Sequence, residues 1–168
     1  MSQTVLITGA SNGIGKACAR VFARKGYDLV LVARHREKLE AVKAELSEYD
    51  VNVKVVAMDL TGEDAAVDLY NNLVLDDISI DILVNNAGFG DHGAFHDSSW
   101  EKQKKMVLLN IMALMQMTYV FGQSMKLRKK GRILNVASIA GLCAGPYMST
   151  YYATKAFVLS FSESIAYE

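Results

Sequence analysis

The stretch Thr8-Gly9-Ala10-Ser11-Asn12-Gly13-Ile14-Gly15 stands between a short β-branched and apolar run, Thr4-Val5-Leu6-Ile7-Thr8, and a helical pattern of Ile14, Ala17, Cys18, Val21 and Phe22. The helical residues recur as one face of a 3.6-residue period. Three glycines after a strand make a plain turn in many proteins. Directly between a first strand and a first amphipathic helix they have a further use. They let the backbone turn tightly and come close to a pyrophosphate, whose charge meets the free N–H groups of the helix N-terminus. The spacing here is G-x-x-x-G-x-G rather than G-x-G-x-x-G.

Outward from that turn, strand and helix alternate. Gly26 stops the first helix, and Leu29-Val30-Leu31-Val32 has apolar residues on both faces, as a buried parallel strand does. Leu39, Val42, Leu46 and Tyr49 form the stripe of a second helix, Val53 to Val56 a third strand, and Ala66, Leu69, Tyr70, Leu73 and Val74 a third helix. Ile80 to Val84 reads as a fourth strand, and Trp100 to about Arg128 as a long helix apolar around most of its circumference. Arg132 to Val136 is a fifth strand, and a last helix runs from Ser149 onward. Such alternation predicts an α/β fold, a doubly wound parallel sheet covered on both faces, in one domain spanning 1–168.

Composition narrows the partners. Of 168 residues, 51% are apolar and 21% charged, and 18 basic side chains balance 18 acidic ones, so no basic field is present to hold nucleic acid or an anionic membrane. The apolar region from Met106 to Phe121 is interrupted by Asn110 and Gln116, short of the roughly 18 to 20 apolar residues of a membrane span. Met1-Ser2-Gln3-Thr4 does not open as a signal peptide does. Cys18 and Cys143 are far apart and form no CxxC pair, which suits a reducing, cytoplasmic setting without structural zinc. His92 and His96, four apart beside Asp91 and Asp97, have no third ligand at hand, and surface histidines are expected rather than a metal pair. The cations from Lys126 to Arg132 suit the end of the long helix. Cys143 either lines a pocket or simply packs.

Two further places carry chemistry. An NAD-selective site puts a carboxylate at the end of the second strand to hold the adenine ribose 2′-hydroxyl. Here the strand exits into Ala33-Arg34-His35-Arg36, with no carboxylate before Glu37. The planar fork of Arg34 suits a 2′-phosphate, and Lys16 adds a charge just past the last glycine, which favours NADP(H) over NAD(H). Arg34 and Arg36 also read as solvated residues at a helix start. The second place is Tyr151-Tyr152-Ala153-Thr154-Lys155, which sets a phenol and an ammonium four residues apart on one helical face. A phenol ionises near pH 10, and drawing it toward neutrality costs about 4 kcal/mol. A cation about 4 Å away, at an effective dielectric near 20, contributes on the order of 4 kcal/mol toward that.

With these residues the chain resembles the main branch of the short-chain dehydrogenase/reductase family. Seven elements fall in register: the T-G-x-x-x-G-x-G turn, Asp59 after the third strand, Asn85-Asn86-Ala87-Gly88 after the fourth, Asn110 in the long helix, Ser138, Tyr151 and Lys155. Ser138 precedes Tyr151 by 13 residues, as in the family pattern. The resemblance implies hydride transfer between a nicotinamide cofactor and a carbonyl or secondary alcohol. In it Tyr151 is the general acid or base, and Lys155 makes that phenol more acidic and holds the nicotinamide ribose. Ser138 binds the substrate oxygen, and Asn110 kinks the long helix and holds a water that joins Lys155 to solvent. Gly9, Ser11, Asn12, Gly13, Ile14 and Gly15 bind the dinucleotide, Arg34 its 2′-phosphate, Asp59 and Leu60 its adenine, and Asn86, Ala87 and Gly88 line the cleft. An apolar wall of Ile139, Leu142, Pro146, Tyr147 and Met148 suggests a fairly apolar small-molecule substrate.

In the family pattern the last helix is followed by two more strands and a substrate-covering segment, roughly 60 to 90 residues by ordinary element lengths. Their absence here gives the expectation of a chain truncated at its C-terminus, with the fifth strand an open edge. It also motivates a second reading, a non-catalytic NADP-binding or interaction protein. The two long helices suggest a pairing face, hence a homodimer or homotetramer.

Overall fold

The computed structural model describes residues 2–168; Met1, the first residue of the opening tetrapeptide, lies outside them. In chain order the elements are β1 (Thr4–Thr8), α1 (Gly13–Arg24), β2 (Asp28–Ala33), α2 (Arg36–Glu45), β3 (Val53–Ala57), α3 (Ala65–Leu75) and β4 (Ile82–Asn85). Then come α4 (Trp100–Val107), a π-helical segment (Leu108–Ala113), α5 (Leu114–Arg128), β5 (Arg132–Asn135) and α6 (Ser149–Ile165). The five strands are all parallel, in the order β3-β2-β1-β4-β5. Strand order reverses between β1 and β4, and the crevice outside the carboxyl ends of those two strands is where open α/β sheets take ligands.

Alternate residues of each strand feed two cores. Leu6, Val30, Val32 and Leu83 meet Leu69 and Leu73 of α3 and Met117, Phe121 and Met125 of α5. Val5, Ile7, Leu29, Leu31 and Val84 meet Ala19 and Ala23 of α1 and Leu39 and Val42 of α2. The sheet is therefore covered on both faces, the doubly wound arrangement that the apolar strands predicted.

Two expectations need correction. The stripe assigned to the first helix is only partly its buried face: Cys18 and Phe22 pack against the core, while the rest of it is exposed. Ile14 is 61% exposed and Val21 43%, whereas Gly15, Ala19 and Ala23 are buried. A ridge of small residues every fourth position lets the helix axis approach the strands closely, and hydropathy registers such a ridge weakly. The long helix, in turn, is long and apolar enough over Trp100–Arg128 to cross a membrane by length and composition, despite Asn110 and Gln116. In this fold Met117, Phe121 and Met125 on its inner face pack against the sheet. Val74 of the third-helix stripe is also exposed.

Asp81 pins the far end of the sheet. Its carboxylate accepts from the Thr4 N–H at 3.1 Å and pairs with Lys130 at 2.9 Å and Arg128 at 3.6 Å. Partial burial pushes this carboxyl up, but Lys130, the Thr4 N–H and Arg128 together hold it below the usual carboxylate range. With a folded pKa below the unfolded one, its contribution is complete above the unfolded value near 3.8 and is lost as pH falls through the folded value. We expect Asp81→Asn to lower stability at neutral pH by about 1–2 kcal/mol, since both cations are partly solvated. Urea titrations at pH 7 and pH 3 check this: the gap between variant and parent should shrink in acid.

Candidate active site

A cleft of about 490 Å³ opens at the carboxyl ends of β1, β2 and β4. The glycine turn forms one lip and is stitched to the segment after β4. Thr8 Oγ1 accepts from the N–H groups of Asn86 and Ala87, each at 3.0 Å, and donates to Val84 O at 3.3 Å. Asn86 Nδ2 donates to Thr8 O at 3.0 Å and Gly9 O at 3.3 Å. Thr8 is thus a site-building residue that stood in the quoted motif without an assigned role. Gly15 passes so close beneath Gly9 O that a side chain there would overlap the Gly9 backbone, and a Cβ would lie 2.6 Å from Asn86 Nδ2. No side chain caps α1, which leaves the N–H groups of its first turn for an anion. Gly9, Ser11, Asn12 and Ile14 face the cleft, while Gly13 and Gly15 shape the turn behind it.

At the adenine end, Arg34, His35 and Lys38 form the wall together with Met58, Asp59 and Leu60. Lys16 is not among them. It turns toward α2 and pairs with Glu45 at 2.6 Å, so the second cation at this end of the cleft is Lys38, in the first turn of α2. Arg36 pairs with Glu40 at 3.4 Å on the exposed face of α2, as a solvated helix-start residue does. Asp59 accepts from Thr61 N at 3.0 Å and Thr61 Oγ1 at 2.9 Å. The Thr61 N–H, working against partial burial and helped by the Thr61 hydroxyl and the charges of Arg34 and Lys105, holds this carboxyl below its ordinary range.

At the opposite end stand Tyr151 and Lys155, with Asn86, Ala87, Gly88, Phe89 and Gly90 as the floor and Val136 and Ala137 as a wall. Lys155 is 7% exposed, donates to Val136 O at 2.7 Å, and sets its ammonium 6.0 Å from the centre of the Tyr151 ring. Burial pushes its pKa down, and among the described residues no carboxylate pairs with it. A buried lysine without a counter-ion beside a phenol in a cleft is a feature of functional sites.

Asn110 and Ser138 stand outside the cleft wall. The expected kink at Asn110 takes the form of the π segment, a local widening of the helix that turns this side chain inward. Its amide is committed to protein partners: Phe89 N and O at 3.1 and 2.9 Å, and Thr154 Oγ1 at 3.1 Å. Ser138 follows Ala137, and its hydroxyl accepts from Ala140 N at 3.1 Å, which leaves its own proton to be given to another oxygen. Of the apolar wall, Ile139, Leu142 and Tyr147 are well exposed. His92 stacks on Tyr147, and His96 lies edge-on to Phe95. Among the described residues there is no group of three or more His, Cys, Asp or Glu that could hold a metal ion. Cys143, with Leu142, Pro146 and Tyr152, lines a separate hollow.

Comparison with known proteins agrees with this geometry. A family profile described as short chain dehydrogenase matches residues 3–168. The chain is 39% identical over 176 residues to 17-beta-hydroxysteroid dehydrogenase type 3 of Mus musculus, covering 100% of this chain and 55% of that protein. It is 36% identical over 171 residues to a very-long-chain 3-oxoacyl-CoA reductase of Phaeosphaeria nodorum, covering 97% of this chain and 49% of that one. The chain therefore spans about half the length of these curated relatives. Among solved structures, a short-chain dehydrogenase from Sphingobium yanoikuyae in complex with NADPH superposes with a TM-score of 0.90 at 40% identity, covering 97% of this chain and 64% of that one. A metagenomic short-chain oxidoreductase in complex with NADP gives a TM-score of 0.93 at 32% identity, covering 99% and 76%.

Proposed function

The chain belongs to the short-chain dehydrogenase family, and from that premise we propose that it is an oxidoreductase using NADP(H) on a carbonyl or secondary alcohol. The observation that carries this reading is Lys155, buried and unpaired beside Tyr151, at one end of a cleft whose other end holds Arg34 and Lys38. Bound there, the nicotinamide supplies or takes the hydride. Tyr151 gives its proton to the substrate oxygen as negative charge builds there in reduction, and takes it back in oxidation. Lys155 sets a positive charge 6.0 Å from the centre of that ring, on the side of the cleft where the proton is passed. Ser138, whose hydroxyl proton is free of its bond to Ala140, donates to the same oxygen and holds it within reach. The glycine turn and the uncapped start of α1 fit the pyrophosphate, and NADPH and NADP in two solved relatives support the choice of cofactor. Exposed Met112 and Tyr119 on the long helix support pairing of two copies.

The test is reduction of a panel of ketones and aldehydes by the purified protein with NADPH, followed by cofactor titration. We expect NADPH to bind more tightly than NADH. Arg34→Ala should weaken NADPH by about 10- to 100-fold, the equivalent of one or two charge-assisted hydrogen bonds, while changing NADH by less than about threefold. Lys38→Ala should act in the same direction but less. Equal affinity for the two dinucleotides in the parent would remove the case for Arg34.

A further inference from the structure

Thr154 lies between Tyr151 and Lys155 in the sequence, and only 1% of it is exposed. Its hydroxyl donates to Tyr151 O at 2.7 Å, the back-bond that threonine commonly makes inside a helix. The helix does not account for its second bond. Thr154 Oγ1 also accepts from Asn110 Nδ2 at 3.1 Å, and Asn110, 2% exposed, spends the rest of its amide on Phe89. Asn110 Oδ1 takes the Phe89 N–H at 3.1 Å and Nδ2 gives to the Phe89 carbonyl at 2.9 Å. Next along that floor, Gly88 lies so near that a Cβ there would stand 2.9 Å from Asn110 Oδ1 and 3.9 Å from Lys155 Nζ. One unbroken line of hydrogen bonds thus joins three elements: α6, which carries Tyr151 and Lys155, the π segment, and the segment after β4 that floors the cleft.

We infer that Thr154 is a positioning residue, whose hydroxyl fixes the distance between the acid/base helix and the cleft floor through Asn110 and Phe89. The inference rests on the proposed oxidoreductase function for its consequence in rate. The physical reason lies in satisfaction of the buried amide. Both Nδ2 protons of Asn110 have acceptors, Thr154 and Phe89, and the site is closed to water. Valine fills the same space as threonine but accepts nothing, so one buried N–H is orphaned and the Asn110 amide is driven to turn. Turning it releases both bonds to Phe89, and the floor shifts relative to Tyr151. Serine keeps the acceptor and loses only a methyl group.

The experiment compares the full chain with T154V and T154S, measuring kcat and KM for a ketone with NADPH, NADPH affinity, and amide hydrogen exchange in the peptide containing Phe89. Misplacement by about 1 Å costs on the order of a hundredfold, so T154V should lose about 10- to 100-fold in kcat, with KM and NADPH affinity held within a few-fold. Exchange at Phe89 should accelerate, and T154S should return to within about threefold of the parent rate, since the acceptor is restored. T154V at the parent rate overturns the inference, and so does T154S as slow as T154V, because the methyl group and not the hydroxyl would then matter. If T154V does not fold, T154A removes the same hydroxyl and is held to the same outcomes. If the parent binds NADPH but reduces no carbonyl, the proposed function fails, and exchange alone judges Thr154: unchanged protection of Phe89 in T154V overturns the coupling, and faster exchange upholds it.

Discussion

Tyr151→Phe is expected to lower kcat for ketone reduction with NADPH by about 10³-fold, within the range that a positioned general acid supplies, and to leave NADPH affinity within about threefold. The substitution removes one oxygen from a side chain whose ring keeps its place against Gly90 of the cleft floor, so folding should be unchanged. A drop confined to kcat identifies a group used in the transition state, whereas a rise in KM alone would indicate only substrate binding. Lys155 adds a signature in pH. Burial has pushed its pKa below 10.5. Between the lowered folded value and the unfolded one, the unfolded chain binds more protons, so the contribution of Lys155 to stability rises as pH rises through that window. Its support of the phenol goes the other way, because the ammonium loses its charge as pH climbs through the folded value. Activity should therefore fall on the alkaline side while the stability difference between parent and Lys155→Met, which carries no charge to bury, narrows. Stopped-flow reduction and thermal melts across pH 7 to about 10.5 measure both. Ketone reduction by Tyr151→Phe at the parent rate would sink the catalytic assignment.

Much of this site was legible before any coordinates. Strands apolar on both faces announce a sheet covered on both sides, and the glycine turn falls at the carboxyl end of β1, where strand order reverses. Tyr151 and Lys155 needed only helical spacing to be placed side by side. What was illegible depended on direction rather than residue type. Lys16 is near the turn in sequence, but the rotation of α1 aims it at Glu45, while Lys38 reaches the cleft from α2. The signal for Lys38 was its place in the first turn of the helix that directly follows Arg34. The buried ridge of Gly15, Ala19 and Ala23 was hidden because close approach selects small side chains, which look neutral on a hydropathy scale. Thr154 was invisible for a different reason. Its partner, Asn110, reaches it only because the chain adds a residue to one turn of the long helix, and no periodicity of apolar residues marks that turn.

Gly9→Ala should weaken NADPH by at least about 100-fold and lower stability by about 2–4 kcal/mol, which for a chain of this size is about 6–12 °C in Tm. Two effects add. Gly9 sits at φ +66°, in the left-handed region where a Cβ is itself a cost. A Cβ there would also meet Asn86 Nδ2 at 2.8 Å and Ala87 Cα at 2.9 Å. One of those contacts is backbone, so it is relieved only by moving the turn away from the segment after β4. That movement strains the bonds from Asn86 Nδ2 to Thr8 O and Gly9 O and those from the Asn86 and Ala87 N–H groups to Thr8 Oγ1. The lip of the cleft and its floor separate together, which is why one methyl group on the turn should be felt by the whole dinucleotide. Gly13→Ala is the control: its φ is +50°, yet a Cβ there meets nothing within 4 Å. It should pay the conformational cost alone, about 1 kcal/mol, and keep most of the affinity for NADPH. Fluorescence titration of NADPH and thermal melts on the two variants separate crowding from strain, and equal losses in both would show that close approach at Gly9 is not what the turn requires.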